Sequence, residues 1–215
     1  MASVPAKPKI YHITHGKHLR SIIAEGYLYS DAHMIGRGGP LVPIGMSKIK
    51  ERRLELPVRC HEGTCVGDYV PFYFCSRSVM LYVIHCRDSE ELAYKGGQKP
   101  VVHLEADLMQ AIAWADKDKR RWAFSLSNAG ARYAEFRSNP KQLGEIGWDA
   151  VAATKWSAPE IKEPKQAEFL VFDRFPWKLV TRIGVINESI KAKVEAVLAD
   201  AEHKPAVEVQ SAWYY

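Results

Sequence analysis

Apolar and polar positions along the chain follow two periods, one of strands and one of helices. Ile10 to Thr14 reads as a first strand, and it feeds LRSIIAEG, where Leu19, Ile22 and Ile23 recur at helical spacing and Gly26 supplies the stop. Residues 29–46, YSDAHMIGRGGPLVPIGM, show no period and are rich in Gly and Pro, which predicts a long loop. Structureless loops of that length are commonly functional. Ser47 is the expected N-cap of a basic helix, KIKERRLEL, closed by Pro57. DYVPFYFC reads as a strand, with Ser76 as the expected cap of the helix SRSVMLYVIH. VVHLEADL is another strand, leading into the helix-like LMQAIAWAD. Ile146, Ala150 and Val151 mark a short helix, and residues 157–166, SAPEIKEPKQ, read as a loop. The run Phe169–Phe172 predicts a short buried strand that starts directly after Glu168. VTRIGVI is a further strand, and NESIKAKVEAVLADAEH is an amphipathic helix with Ile190, Val194, Val197 and Leu198 on one face. VEVQSAWYY closes the pattern as a strand. Strands and helices are mixed without regular βαβ alternation, and no GxGxxG or Walker loop occurs. The pattern predicts an α+β fold with an antiparallel core.

Composition narrows the class. At 215 residues, 47% hydrophobic and 26% charged, the chain is expected to be one globular domain, 1–215. No apolar run approaches the roughly 20 residues that span a bilayer, and the start MASVPAKPKIYHIT lacks the apolar centre of a secretory signal. A cytoplasmic location with no membrane contact is expected. The four cysteines form no CxxC pair, and Cys60, His61 and Cys65 lack zinc-site spacing, so free thiols and no metal are expected. Charge is uneven: between Asp116 and Lys141 seven basic residues face three acidic ones, with Trp122, Phe124, Tyr133 and Phe136 interleaved. Cations for phosphates and rings for bases suit a single-stranded nucleic-acid groove. A solvated loop with core aromatics has the same composition, and the residues alone leave both open.

Three polar residues stand at element ends: His12, Arg53 and Glu168. A carboxylate at the mouth of an apolar strand either points to solvent or faces inward for a reason, since desolvating an unpaired charge is costly. The stretches IYHITHGKHLRSIIAEGYL, IKERR, GDYVPFYFCSRSVMLY, GGQKPVVHL, LGEIGWDAV, KQAEFLVFDRFPW and WYY span nearly the whole chain. In that order they resemble the DarT family of DNA ADP-ribosyltransferase toxins, the toxin halves of DarTG toxin–antitoxin systems.

The resemblance implies an ADP-ribosyltransferase-type split antiparallel sheet core with flanking helices, and NAD+ as co-substrate. It implies that Tyr11, His12, Ile13 and Thr14 hold the nicotinamide mononucleotide end of NAD+ and that Leu28 lines the adenosine site. An NAD+-binding element is expected at about 34–53, with Arg53 both binding NAD+ and catalytic. Glu168 is the implied catalytic carboxylate, and about 124–168 is the expected substrate-presenting loop region. With the basic-aromatic stretch, this makes Arg120, Arg121, Trp122, Asn128, Arg132 and Tyr133 the expected DNA-binding residues. The implied reaction transfers ADP-ribose to thymine N3 in single-stranded DNA, releasing nicotinamide and blocking replication, and the implied partner is a macrodomain antitoxin of the DarG type. In FSLSNAGARYAEF, Ser127 and Asn128 stand where a Thr–Asp turn is expected, so the acceptor is the least constrained part. The alternatives are the same fold modifying guanine, RNA or protein, or a non-catalytic nucleic-acid-binding domain.

Overall fold

The computed structural model describes residues 3–86 and 92–215. In chain order the elements are β1 (Lys9–His15), α1 (Leu19–Glu25), β2 (Tyr27–Tyr29), α2 (Asp31–Ile35), α3 (Ser47–Arg53), β3 (Tyr69–Tyr73) and α4 (Val79–Cys86). They continue with β4 (Val101–Asp107), α5 (Leu108–Lys117), β5 (Trp122–Asn128), β6 (Phe136–Arg137), α6 (Trp148–Ala152) and α7 (Pro159–Lys165). The last are β7 (Ala167–Phe172), β8 (Arg174–Pro176), β9 (Val180–Val185), α8 (Glu188–Leu198) and β10 (Ala206–Val209).

Eight strands form one sheet in the order β10-β9-β4-β1-β3-β7-β5-β6. Every recorded pair is antiparallel except β10 with β9. The sheet is two halves. β1 pairs with β4 along its whole length, from Lys9–Asp107 to His15–Val101. Its contact with β3 is a single register pair, Tyr11 opposite Tyr73. Beyond that pair the halves part, and the functional cleft lies in the gap. The small β2–β8 sheet, with Leu28 opposite Phe175, floors one side of it. Phe72, Phe169, Phe124 and Phe175 are fully buried in the main core, Phe72 and Phe175 with ring centres 4.6 Å apart. The chain's last aromatics fasten the first half-sheet: Trp213 lies against Gly184, and the Tyr214 hydroxyl donates to the Val101 and Gly184 carbonyls. Among the described residues no helix is long and apolar enough to cross a membrane.

Several local expectations are corrected. Residues 29–46 are not all loop, because Ser30 accepts a hydrogen bond from the His33 amide and caps α2. The cap signal was hidden by the Gly/Pro-rich residues behind it. Ser47 is the first helical residue of α3 rather than its cap, and the helix ends at Arg53 rather than at Leu56. For α4 the capping hydroxyl belongs to Ser78, which accepts from Leu81, not to Ser76. Residues 157–166 hold α7, where Pro159 sits in the first turn, a position in which its missing N–H costs nothing. The closing segment is β10 followed by a 3-10 turn at Ser211–Trp213, not one strand.

Candidate active site

Helix α3 carries Ile49, Lys50 and Arg53 on one face, and that face lines a cleft of about 250 Å³. The opposite wall comes from His12 and Thr14 on β1, from Tyr73 on β3 and from Glu168 on β7. At its floor Arg53 and Glu168 form a two-pronged ion pair: the Nη1 and Nη2 groups donate to Oε1 and Oε2 at 2.9 and 2.8 Å. Arg53 is 8% exposed and Glu168 3%. Burial alone would make the guanidinium easier to deprotonate, but the adjacent Glu168 carboxylate reverses this and drives its pKa further up. Burial, reinforced by the same carboxylate, pushes the Tyr73 phenol up, so it stays protonated. Glu168 is oriented from behind, its backbone N–H donating to Ser125 Oγ at 3.0 Å. The Ser125 hydroxyl in turn donates to the Ser127 carbonyl.

His12 is held neutral. Burial lowers its pKa, and the Pro71 carbonyl 2.8 Å from Nδ1 only partly opposes this. That carbonyl can only accept, so Nδ1 carries the proton and Nε2 is left as an acceptor. His18 takes the same tautomer for a different reason: its Nε2 accepts from the Val42 amide at 2.9 Å, so Nδ1–H donates to Thr14 Oγ1. Burial, then neighbouring His15, His12 and Lys50, lower its pKa to about 4, which keeps that arrangement at neutral pH. Through His18 the strap at 36–46 is tied over the cleft. Lys50 pairs with Asp31 at 2.6 Å, joining α3 to α2.

The expected site residues divide. His12, Thr14, Leu28, Arg53 and Glu168 converge on the cleft, and Ile13 borders it. Tyr11 does not, and instead lines a second hollow beyond the Tyr11–Tyr73 contact. The expected substrate-presenting region, about 124–168, is not one loop: it contains β5, β6, α6 and α7. Trp122 is corrected from a candidate stacking platform to a core residue, 5% exposed, with its indole N–H donating to Asp116. Arg120 donates to the Phe172 carbonyl and pairs with Asp118 and Asp173, so its charge is used internally. Arg120, Arg121 and Trp122 sit at the Val171 end of β7, while Asn128 pairs opposite Ala167, next to Glu168. The structure thus separates these three from Asn128, Arg132 and Tyr133. Asn128 bonds Gln166 and the Gly130 amide, and Tyr133 is 83% exposed in the following turn.

Sequence reading missed Ser125, His18, Lys50, Asp31 and Tyr73. Only Lys50 carried a signal, lying three residues before Arg53 and so on the same helix face. The others depend on tertiary folding.

A family model described as DarT, ssDNA thymidine ADP-ribosyltransferase, matches residues 11–215. A DNA ADP-ribosyl transferase of Thermus aquaticus is 37% identical over 213 residues, 98% of this chain and 90% of the relative. The solved structure of Thermus sp. 2.9 DarT in complex with ADP-ribosylated ssDNA is similar with a TM-score of 0.88 at 34% identity, covering 100% of this chain and 99% of that one. The same protein in complex with NAD+ gives a TM-score of 0.80 at 32% identity, covering 99% and 100%.

Proposed function

We infer the function from a premise that these matches establish: the chain belongs to the DarT family of ssDNA thymidine ADP-ribosyltransferases. It is an NAD+-dependent ADP-ribosyltransferase, and its acceptor is thymidine in single-stranded DNA. We propose the residue roles as follows, and the buried Arg53–Glu168 pair is the observation that carries them.

The reaction breaks the bond between ribose C1′ and the nicotinamide nitrogen. The bonding pair leaves with nicotinamide, which becomes neutral, and C1′ gains oxocarbenium character as in glycoside cleavage. Thymine N3 then bonds to C1′ and gives up its proton. Glu168 supplies the negative charge that stabilises C1′ and is the acceptor for the N3 proton. Loss of such preorganised electrostatics typically costs about 10²–10³ in rate. Arg53 cannot serve as a base at a pKa above about 12. It is assigned to the pyrophosphate and to negative charge on the thymine ring. In the closed pair both Glu168 oxygens are taken by the guanidinium. Substrate binding is therefore an exchange of partners, with phosphate for Arg53 and the ribose for Glu168. Neutral His12, with Nε2 free to accept, suits a donor on the nicotinamide or ribose end. Asn128, Arg132 and Tyr133 are retained as DNA contacts. A macrodomain antitoxin of the DarG type is the proposed partner, from the resemblance to DarTG toxins.

The test is intact-mass analysis of oligonucleotides incubated with NAD+: thymine-containing single strand, thymine-free single strand, duplex and RNA. An ADP-ribose adduct on the first alone, lost in Glu168→Ala, is expected. An adduct that persists at wild-type rate in Glu168→Ala would overturn the assignment of that carboxylate.

A further inference from the structure

The second hollow, about 410 Å³, lies just beyond the Tyr11–Tyr73 contact. The chain passes from one hollow to the other three times. His12 borders the cleft and Tyr11 the hollow, Tyr73 the cleft and Phe74 the hollow, Glu168 the cleft and Lys165 the hollow. Tyr11 and His12 are neighbours on β1, Tyr73 and Phe74 are neighbours at the end of β3, and Lys165 ends α7 three residues before Glu168, so the two hollows share these short stretches of chain.

Its lining is chemically one-sided. Lys7, Lys9, Arg77 and Lys165 border it, and among the described residues none of its lining is Asp or Glu. Lys9 is offset by Asp107, and the Lys165 ammonium donates to the Val151 and Ala153 carbonyls, contributing field rather than a free donor. Arg77 is different: its guanidinium stacks 4.3 Å over the Tyr215 ring, and its Nε–H is buried without a hydrogen-bond partner. Half-buried Tyr11 and Trp156 add aromatic surface. Cations with accessible rings are what a phosphate-linked base requires.

We propose that this hollow binds a nucleotide of the DNA strand flanking the target thymidine, so that the strand runs from the cleft across the Tyr73–Phe74 wall. This rests on the single-stranded DNA reading above and extends it to a second contact, made of residues that take no part in the chemistry. It also gives Tyr11 a role distinct from the NAD+ contact expected of it.

The test is fluorescence anisotropy of a labelled single strand of roughly 12 nucleotides, a length within the span of one single-strand binding module. It is done without NAD+ over a salt series, for the parent protein, Lys7→Gln, Arg77→Gln and Trp156→Ala. Removing one phosphate contact should make the slope of log K against log salt shallower by about 0.7 in each of the first two variants. Trp156→Ala should weaken binding roughly 5- to 150-fold, as loss of a stacked base does. Modification of thymidine 5′-monophosphate, which has no flanking nucleotide to reach the hollow, should be unchanged in all three. Lys7 is exposed, so its variant keeps the test independent of folding. Unchanged affinity and salt slope in Lys7→Gln and Arg77→Gln would overturn the proposal. Absence of any adduct with the parent protein would strike at the transferase reading instead, and anisotropy would still decide the hollow.

Discussion

Removing either member of the Arg53–Glu168 pair should destabilise the protein, whereas removing both should not. The two side chains are almost fully buried and meet through two hydrogen bonds of 2.9 and 2.8 Å. Deleting one partner strands a desolvated charge, which costs about 3–5 kcal/mol. For a chain of this size each kcal/mol moves Tm by about 2–4 °C, so a single variant should melt roughly 6–20 °C below the parent. The variants are not equivalent. In Arg53→Met the stranded carboxylate can take up a proton, but in Glu168→Leu the guanidinium cannot lose one, so Glu168→Leu should be the worse. The double variant replaces two desolvated ions with apolar volume, a change that is often neutral or stabilising by about 1–4 kcal/mol. Circular-dichroism melts without NAD+ measure all four proteins. Single variants that melt with the parent, or a double variant lower than both singles, would refute the reasoning.

Ser125→Ala removes the acceptor for the buried Glu168 amide. It should cost about 1–3 kcal/mol in urea denaturation and lower kcat more than it raises KM for NAD+. Gly184→Ala puts a Cβ 2.3 Å from the Trp213 ring, so overpacking of about 1–3 kcal/mol should lower Tm, and an unchanged melt would contradict the packing. Trp122→Ala should lower stability by about 3–5 kcal/mol, while at a temperature where it remains folded its DNA affinity should match the parent's. Burial lowers the His103 pKa from 6.5 to about 4, with the Ser76 carbonyl opposing. The folded state therefore resists a proton that the unfolded chain accepts. This contribution is full above about pH 6.5 and is lost as pH falls toward 4, at about 1.4 kcal/mol per unit. Urea midpoints at two pH values in that window should fall less in His103→Asn than in the parent.

Local periodicity made most elements legible. The β1 strand and α1 with its Gly26 stop at φ 72° lie where spacing and caps put them, and α8 starts at its Asn187 cap but ends at Leu198, short of the expected His203. What escaped was held by distant partners: Lys165 ties α7 to carbonyls 12 and 14 residues earlier, a bond no local pattern announces. The site was half legible. Glu168 at the head of an apolar run stood out, but its hydrogen-bonding support, Ser125, is 43 residues away. Trp122 shows the limit of composition, because aromatics among cations look alike whether they face solvent or the core.

The Arg53–Glu168 pair also shapes what an approaching substrate feels. Both ligands are anionic, the dinucleotide through its pyrophosphate and the DNA through every phosphate. A bare carboxylate at the cleft floor would repel each phosphate 10 Å away by about 1.7 kcal/mol at an effective dielectric near 20. Paired with the guanidinium, its charge cancels at that range, leaving only a short-range dipole. The reactive carboxylate is electrically silent until a ligand is close enough to separate the pair. A polyanion can then be gathered by the surrounding basic surface without being turned away by the group that acts on it.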